Sequence, residues 1–371
     1  MKTITIAMIG AGRATELHMN AYEKVHGVQL RYKYVLDTLQ DKAQKAKDLY
    51  GFELVATSVE EILKDPEVDV IDICTPPYTH KDLVIKGLKA DKYVICEKPL
   101  CGFFGPGNTD KKIMYDSVMK DLDEIEEAVK LSKKQLFYAE NWIYAPAIQK
   151  AAEIIKAKGS KILYAIGEES LAGSSSPVAG LWEKSGGGTL IRVGCHPLAA
   201  ILWLKKINDP SVHVTKVIAD IDRITDKLTE YEHRHIKANP VDVEDHATVC
   251  LTFSDDTKAV IIACDSRLGG SKNKLELYCN DSVIECNLTL NDIMSTYFLD
   301  DDGLDRVELS EMLSSKHGWN KPFISDEILR GYYAEIQNVI ECIQYKKNNT
   351  CDFRLAREVI AVLYKAYIES K

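Results

Sequence analysis

No stretch of about 18 consecutive apolar residues runs through the chain, so a membrane-spanning helix is not expected. The amino end, Met1-Lys2-Thr3-Ile4, enters an apolar segment without the long hydrophobic core and small-residue cleavage site of an export signal, and a cytoplasmic location is expected. Basic residues do not cluster, and the formal net charge is -9, which excludes the usual nucleic-acid surface. Ten cysteines contain no C-x-x-C pair. Cys74, Cys96, Cys250 and Cys264 lie in apolar, strand-like runs, where a thiol serves as a small buried hydrophobe, and free thiols are expected throughout. The carboxylate–histidine group Glu244-Asp245-His246 has no second cluster at ligand spacing to support it; it reads as the charged start of a strand, and no metal is expected.

What is present is an ordinary globular composition, 46% hydrophobic and 28% charged over 371 residues, long enough for two domains. Ile4 to Ile9 is a short apolar run, the pattern of a buried strand, and it ends in Gly10-Ala11-Gly12-Arg13-Ala14-Thr15. This is G-x-G-x-x-G with Thr15 at the third glycine. The first glycine makes a tight turn, the second lets a pyrophosphate approach the backbone, and a small third residue packs helix on strand. Gly10, Gly12, Arg13 and Ala14 are therefore candidate cofactor contacts, with a helix over 16–25 facing the phosphates. Leu30 to Leu36 is the next strand, closed by Asp37, near the roughly 20-residue offset at which an acid receives ribose hydroxyls. A carboxylate there repels a 2′-phosphate, which favours NAD over NADP.

Strand and helix patterns continue to alternate. Ser58-Val59-Glu60-Glu61 is a capping box. Val68 to Cys74 is a buried strand ending in Thr75-Pro76-Pro77, a helix pattern spans 79–89, and Tyr93 to Cys96 ends abruptly in Glu97-Lys98-Pro99. Such alternation predicts a doubly wound parallel sheet, whose right-handed crossovers bring Gly10, Asp37, Thr75 and Lys98 to one edge. The glycine-rich segment 101–108, with 109–117, reads as a long loop over that edge, followed by a helix over 121–134. After the strand Leu136 to Ala139 comes Glu140-Asn141-Trp142-Ile143-Tyr144-Ala145-Pro146, and the domain boundary is placed there: 1–140 for NAD, 141–371 for substrate and oligomerisation, with the last helices packing back on the first domain.

In the second half, 161–170 is a strand, and Gly173-Ser174-Ser175-Ser176-Pro177 is a polar turn suited to a hydroxyl-rich ligand. Gly186 to Gly188 supplies the backbone freedom that close approach to a ligand needs. A helix over 190–204 carries Arg192 and His196 on one face at i, i+4 spacing. Alternating β-branched segments over 212–287 predict antiparallel strands. Asp300-Asp301-Asp302 and Asp305 form a solvated acidic loop, and Lys316-His317-Gly318-Trp319 precedes helices over 326–345 and 354–367, with Trp319 stacking on a sugar or packing in the core.

The order of these features resembles the Gfo/Idh/MocA family of nicotinamide-dependent oxidoreductases, which includes glucose–fructose oxidoreductase and inositol dehydrogenase. The resemblance covers most of the chain and rests on the glycine loop, Asp37, Cys74-Thr75-Pro76-Pro77-Tyr78-Thr79-His80, Glu97-Lys98-Pro99 and Gly186-Gly187-Gly188-Thr189-Leu190-Ile191-Arg192-Val193-Gly194-Cys195-His196. It implies an α/β protein: an N-terminal Rossmann domain and a C-terminal α+β domain with a mostly antiparallel open sheet, assembled as a dimer or tetramer. It implies Thr75, Pro76, His80, Glu97 and Lys98 as cofactor contacts. Lys98 would also orient substrate, and His196 would bind the reacting hydroxyl and take its proton. Many members carry aspartate four residues before that histidine, where this chain has Arg192, so the aspartate-assisted mechanism and the common polyol substrates are not implied. The details resemble most a branch acting on sugars and glycosides, some members of which oxidise a 3-hydroxyl.

These readings converge on reversible hydride transfer between NAD and a secondary alcohol of a sugar or glycoside. An imidazole, with an ordinary pKa of ~6.5, suits His196 to the role of base. Lys98 would stabilise charge on the same oxygen. Arg192 would lower the Lys98 pKa or pair with a substrate carboxylate, and Asn141 and Tyr144 would contact substrate hydroxyls. Two other readings share the cofactor site: a redox-cycling glycosidase that holds NAD tightly, and a sugar-sensing regulator without catalysis.

Overall fold

The computed structural model describes residues 3–174, 176, 178–290, 296–298, 318–320 and 326–370. Residues Asp300–Asp302, Asp305, Lys316 and His317, as well as Ser175 and Pro177 of the polar turn, lie outside them. The chain forms two compact units, one of residues 1–104, 110–144 and 331–361, the other of 105–109, 145–330 and 362–371. The division falls after Tyr144 where the sequence boundary was placed at residue 140, and 331–361 belongs to the first unit.

The first unit is built on six parallel strands: β1 Thr3–Ile9, β2 Gln29–Leu36, β3 Leu54–Val55, β4 Val70–Ile73, β5 Tyr93–Glu97 and β6 Leu136–Ala139. Their order is β3-β2-β1-β4-β5-β6, a Rossmann sheet with its switch point between β1 and β4. The central strands are nearly continuous apolar runs because helices cover both faces. Ile6, Met8, Val70 and Ile95 share one core cluster with Ile336, Val339 and Ile340 of the helix Tyr332–Tyr345. That helix packs on α1, Arg13–Tyr22.

Two helix boundaries depart from the sequence expectation. The expected long loop through residue 117 is instead helix from Lys111 to Leu131. Asp110 caps it, its carboxylate accepting the amides of Lys112 (2.9 Å) and Ile113 (3.1 Å), and Met114, Val118, Leu122, Ile125 and Ala128 make a continuous buried stripe. The expected helix over 326–345 is broken at Gly331, whose φ of +100° no ordinary helical residue adopts.

The second unit holds a second six-stranded sheet. Its strands are β7 Ile162–Ser170, β8 Val214–Asp222, β9 His246–Phe253, β10 Lys258–Cys264, β11 Lys272–Cys279 and β12 Val283–Asn287, in the order β12-β11-β7-β10-β9-β8. Only β7 and β10 run parallel; the other pairs are antiparallel. Burial alternates along β9 and β10, so one face is buried and the other carries Cys250 outward, contrary to its expected burial. All ten cysteines are thiols outside any disulfide.

The residues 182–205 are apolar and long enough in helical form to cross a bilayer, yet 89% of their most apolar 18-residue window is buried in the protein, as in a core helix. Trp319 is not packed in the core: it is 77% exposed and meets Tyr297 edge-to-face, 5.4 Å between ring centroids.

Candidate active site

The site in the first unit is assembled at the carboxyl edge of its sheet. Gly10 follows β1 with φ +108°, its amide donating to the Leu36 carbonyl at 2.7 Å. A Cβ at Gly10 would stand 2.4 Å from the Cys74 carbonyl oxygen, so only glycine lets the loop cross the end of β4. Thr15, at the third position of the motif, is buried and donates its hydroxyl to the Gly10 carbonyl at 2.9 Å, which closes the loop onto α1.

Gly12 caps α1 with no side-chain hydrogen bond, and a Cβ there would meet no atom within 4 Å. An uncapped helix N-terminus with open space before it is what a pyrophosphate requires. Asp37 stands beside it. One carboxylate oxygen accepts the Ala11 amide (2.9 Å) and the other the Leu39 amide (2.8 Å), which leaves each oxygen a further lone pair for a ribose hydroxyl. The residues therefore fit NAD. Arg13 extends outward and pairs with Glu16 at 2.6 Å, and Ala14 packs against the core.

Thr75 and Pro76 lead from β4 into a short turn, with the Thr75 and Thr79 hydroxyls 2.6 Å apart. His80 differs from expectation. It is fully buried, with Nδ1 2.8 Å from the Pro99 carbonyl and Nε2 2.9 Å from the Thr75 carbonyl. Both ring nitrogens are engaged by backbone, so His80 ties the turn after β4 to the turn after β5 rather than offering a nitrogen to the cofactor. Burial holds its pKa below the ordinary value against the pull of those carbonyls.

Glu97 and Lys98 end β5. Behind them lies a buried network that the sequence reading did not single out. His18, on α1, places Nδ1 2.9 and 3.0 Å from the two Asp72 oxygens and Nε2 3.2 Å from Glu97 Oε1. Tyr22 donates to Asp72 at 2.9 Å. An imidazole between two carboxylates carries protons on both nitrogens. Burial alone would lower the His18 pKa, but Asp72 and Cys74 outweigh it and the net shift is strongly upward. Glu97 Oε2 in turn accepts the Lys98 amide at 3.0 Å. The network thus fixes the backbone that presents Lys98. His18, Asp72 and Cys74 also bring metal-type ligand atoms within 4.8 Å of one another, but here those atoms satisfy each other by hydrogen bonds. The available signal was Asp72 itself, a carboxylate in the otherwise apolar run Val70-Ile71-Asp72-Ile73.

Helix Tyr332–Tyr345 adds Glu335, which is 1% exposed and has neither carboxylate oxygen hydrogen-bonded. Burial pushes its pKa well up; His18 opposes the rise, and Glu97, Glu140 and Asp72 add to it. Asn141 and Tyr144, in the turn after β6, are both buried at 4% exposure, and burial raises the Tyr144 pKa.

In the second unit, the expected helix over 190–204 divides into a π-helical turn, Leu190–Gly194, and an α-helix, Cys195–Lys205. The wider turn changes the i, i+4 geometry assumed for Arg192 and His196. His196 stands at the second residue of the α-helix, 4% exposed. Arg192 forms an ion pair and hydrogen bond with Asp265, just after β10. It is therefore matched by a carboxylate of its own unit, not reserved for a substrate acid. The Asp265 pKa is raised by burial, against the pull of Arg192.

The glycine run before this turn also differs from expectation. A Cβ at Gly188 would stand 1.9 Å from the Glu244 carbonyl oxygen, and one at Gly187 2.4 Å from the Tyr367 hydroxyl. The close approach is to protein. Glu244 accepts the amides of Gly188 and Leu190, each at 2.9 Å, and the Tyr367 hydroxyl at 2.8 Å. Glu244-Asp245-His246 is thus a structural clamp at the start of β9.

Residues 4–105 match a family described as "Oxidoreductase family, NAD-binding Rossmann fold", and 168–285 match its "GFO/IDH/MocA C-terminal domain", together more than half of the chain. Levoglucosan dehydrogenase of Pseudarthrobacter phenanthrenivorans is 27% identical over 217 residues, 55% of this chain and 52% of that protein. The match thus spans about half the length of that relative. Among solved structures, GenD2 from gentamicin A biosynthesis in complex with NAD aligns with TM-score 0.78 at 18% identity, covering 100% of this chain and 95% of the other. Levoglucosan dehydrogenase in complex with NADH and levoglucosan aligns with TM-score 0.74 at 19% identity, covering 100% and 97%. With a glycine cradle that fits a dinucleotide and both family domains present in order, the chain belongs to the Gfo/Idh/MocA family of oxidoreductases and carries its NAD-binding Rossmann fold.

Proposed function

We propose that the protein is an NAD-dependent dehydrogenase that transfers hydride between the nicotinamide and a secondary hydroxyl of a sugar or glycoside, with C3 as the reacting carbon. The observation that carries this reading is the chain Asp72–His18–Glu97–Lys98, which delivers a lysine at the sheet edge beside a cradle fitted to NAD. Relatives named for levoglucosan and inositol oxidation support the substrate class. Bound nicotinamide supplies the hydride acceptor. Gly10, Gly12 and the α1 N-terminus hold the pyrophosphate, and Asp37 accepts ribose hydroxyls. His196 takes the alcohol proton, while Lys98 donates a hydrogen bond to the same oxygen and stabilises the charge that develops there. Asn141 and Tyr144 contact substrate hydroxyls. The protein works as a cytoplasmic homo-oligomer, a reading supported by cysteines outside any disulfide and by Leu163 and Ile218, exposed at 46% and 53% on the second sheet.

The deciding experiment is NADH formation at 340 nm with NAD and a panel of monosaccharides, glycosides, uronates and inositols, with product mass recorded. A product lighter by two hydrogens with stoichiometric NADH is expected. Cleaved glycoside without net NADH would replace this reading by the redox-cycling glycosidase, and sugar binding without any turnover by the regulator.

A further inference from the structure

The second unit contains a cavity of about 330 Å³ whose walls include Ser174, Ser176, Gly180, Lys237, Asn239 and Asp265. That is within the ~300–1,000 Å³ typical of small-ligand sites. Its walls are set by backbone packing. A Cβ at Gly173 would stand 2.1 Å from the Ala238 amide nitrogen, and one at Gly180 2.2 Å from the Asn239 carbonyl oxygen. Ser174, Lys237 and Asn239 give it polar character.

Three carboxylates line the cavity, and two of them are committed to the fold. Glu244 holds the amides of Gly188 and Leu190, and Asp245 accepts the amides of Ile224 (2.7 Å) and Thr225 (3.1 Å) and the Thr225 hydroxyl. Asp265 is different. One oxygen meets Arg192; the other, Oδ1, makes no hydrogen bond of ordinary length in a residue only 6% exposed, although the Thr189 hydroxyl also acts on this carboxylate. A buried acceptor without a donor is costly, and a ligand hydroxyl would relieve it. A ligand carboxylate would instead face three carboxylates, Glu244, Asp245 and Asp265, against one lining cation, Lys237, with the Arg192 charge already met. The cavity is joined to the candidate base: Glu244 grips the start of the π turn that carries Arg192 and continues into the helix of His196.

We infer that this cavity is a subsite for a neutral, hydroxyl-rich part of the substrate, in which Asp265 Oδ1 accepts a ligand hydroxyl while Asp265 masks Arg192 and so disfavours uronates. The identity of the ligand rests on the sugar dehydrogenase reading; the preference for neutral over anionic ligand rests on the cavity.

The test is calorimetry on the NAD-loaded protein with the methyl glycosides of glucose and galactose and of the corresponding uronic acids. The neutral member of at least one pair should bind tenfold or more tighter than its uronide. In Asp265→Asn, which removes the masking charge, the neutral ligand should lose about tenfold and the uronide should gain. Equal affinities, a tighter uronide, or binding of neither by the native protein would overturn the inference, whether or not the variant folds. A folded variant with both affinities unchanged would overturn it too. NADH formation with the same ligands separates the two readings: neutral-selective binding without NADH removes the dehydrogenase and leaves the subsite, whereas NADH produced preferentially from uronides does the reverse.

Discussion

Single residues carry the chemistry, and their surroundings decide what each can do. In the proposed reaction Lys98 and His196 act on one oxygen, and neither belongs to the phosphate cradle. Lys98→Ala and His196→Ala should each lower turnover about 100-fold or more with NAD affinity within a few-fold of native, measured by steady-state kinetics and fluorescence titration. Near-native turnover in either variant would remove that residue from the mechanism. Glu335 is the residue whose cost to the fold is most exposed to measurement. Its folded pKa is raised, so between the unfolded value near ~4.3 and the higher folded value the native state holds one more proton than the unfolded state. Stability from this group is greatest below that window and falls as pH rises through it, at about 1.4 kcal/mol per unit. Glu335→Gln, neutral and nearly the same shape, should become more stable than native by a margin that grows with pH above about 4.3. Urea melts from pH 4 to 8 would show it; a margin independent of pH would mean that Glu335 is ionised in the folded protein.

At the scale of elements, turns and caps position the site more than the long helices do. The π turn 190–194 is held from outside by Glu244, through the Gly188 and Leu190 amides, and the backbone contact at Gly188 leaves no space for a side chain. Gly188→Ala should therefore displace the turn and the helix of His196. Turnover should fall at least tenfold, as expected when a catalytic group is displaced by about 1 Å. NAD binding, which belongs to the first unit, should remain. Loss of both together in a folded variant would show that the two functions are not separable in this way. The same scale explains the misplaced boundaries. Asp110 starts a helix earlier than a glycine-rich segment suggests, and Gly331 interrupts one that hydrophobic periodicity alone carries through. A cap or a positive φ outweighs periodicity because it settles whether backbone amides are satisfied.

For the whole molecule, the division into two units makes a thermodynamic prediction. NAD should stabilise the unit that contains the glycine loop, by about 2.7 kcal/mol at 100 times its Kd, and should slow hydrogen exchange first in residues 4–105. NADP should do so far less if Asp37 receives the ribose hydroxyls as proposed, since its carboxylate would repel a 2′-phosphate. Exchange mass spectrometry with each dinucleotide checks both statements. Equal protection by NADP would shift the cofactor preference away from Asp37.

The sequence by itself determined the parallel sheet of the first unit and its cofactor. Strand–helix alternation, the glycine turn and an acid at the end of β2 are local signals, since each reports a backbone requirement within a few residues. Gly10, Asp37, Thr75 and Lys98 could be brought to one edge from topology alone. Only the tertiary structure decided which polar side chains serve the fold. His80 was taken for a cofactor contact and bridges two carbonyls; Arg192 was taken for a substrate receptor and is matched by Asp265; Glu244 was taken for a strand-start charge and clamps the glycine run. His18, Asp72 and Glu335 were passed over, although together they surround the segment that presents Lys98. The reason is physical. A buried polar group takes its role from the partner that satisfies it, and those partners lie far away in the chain, where no spacing rule reaches.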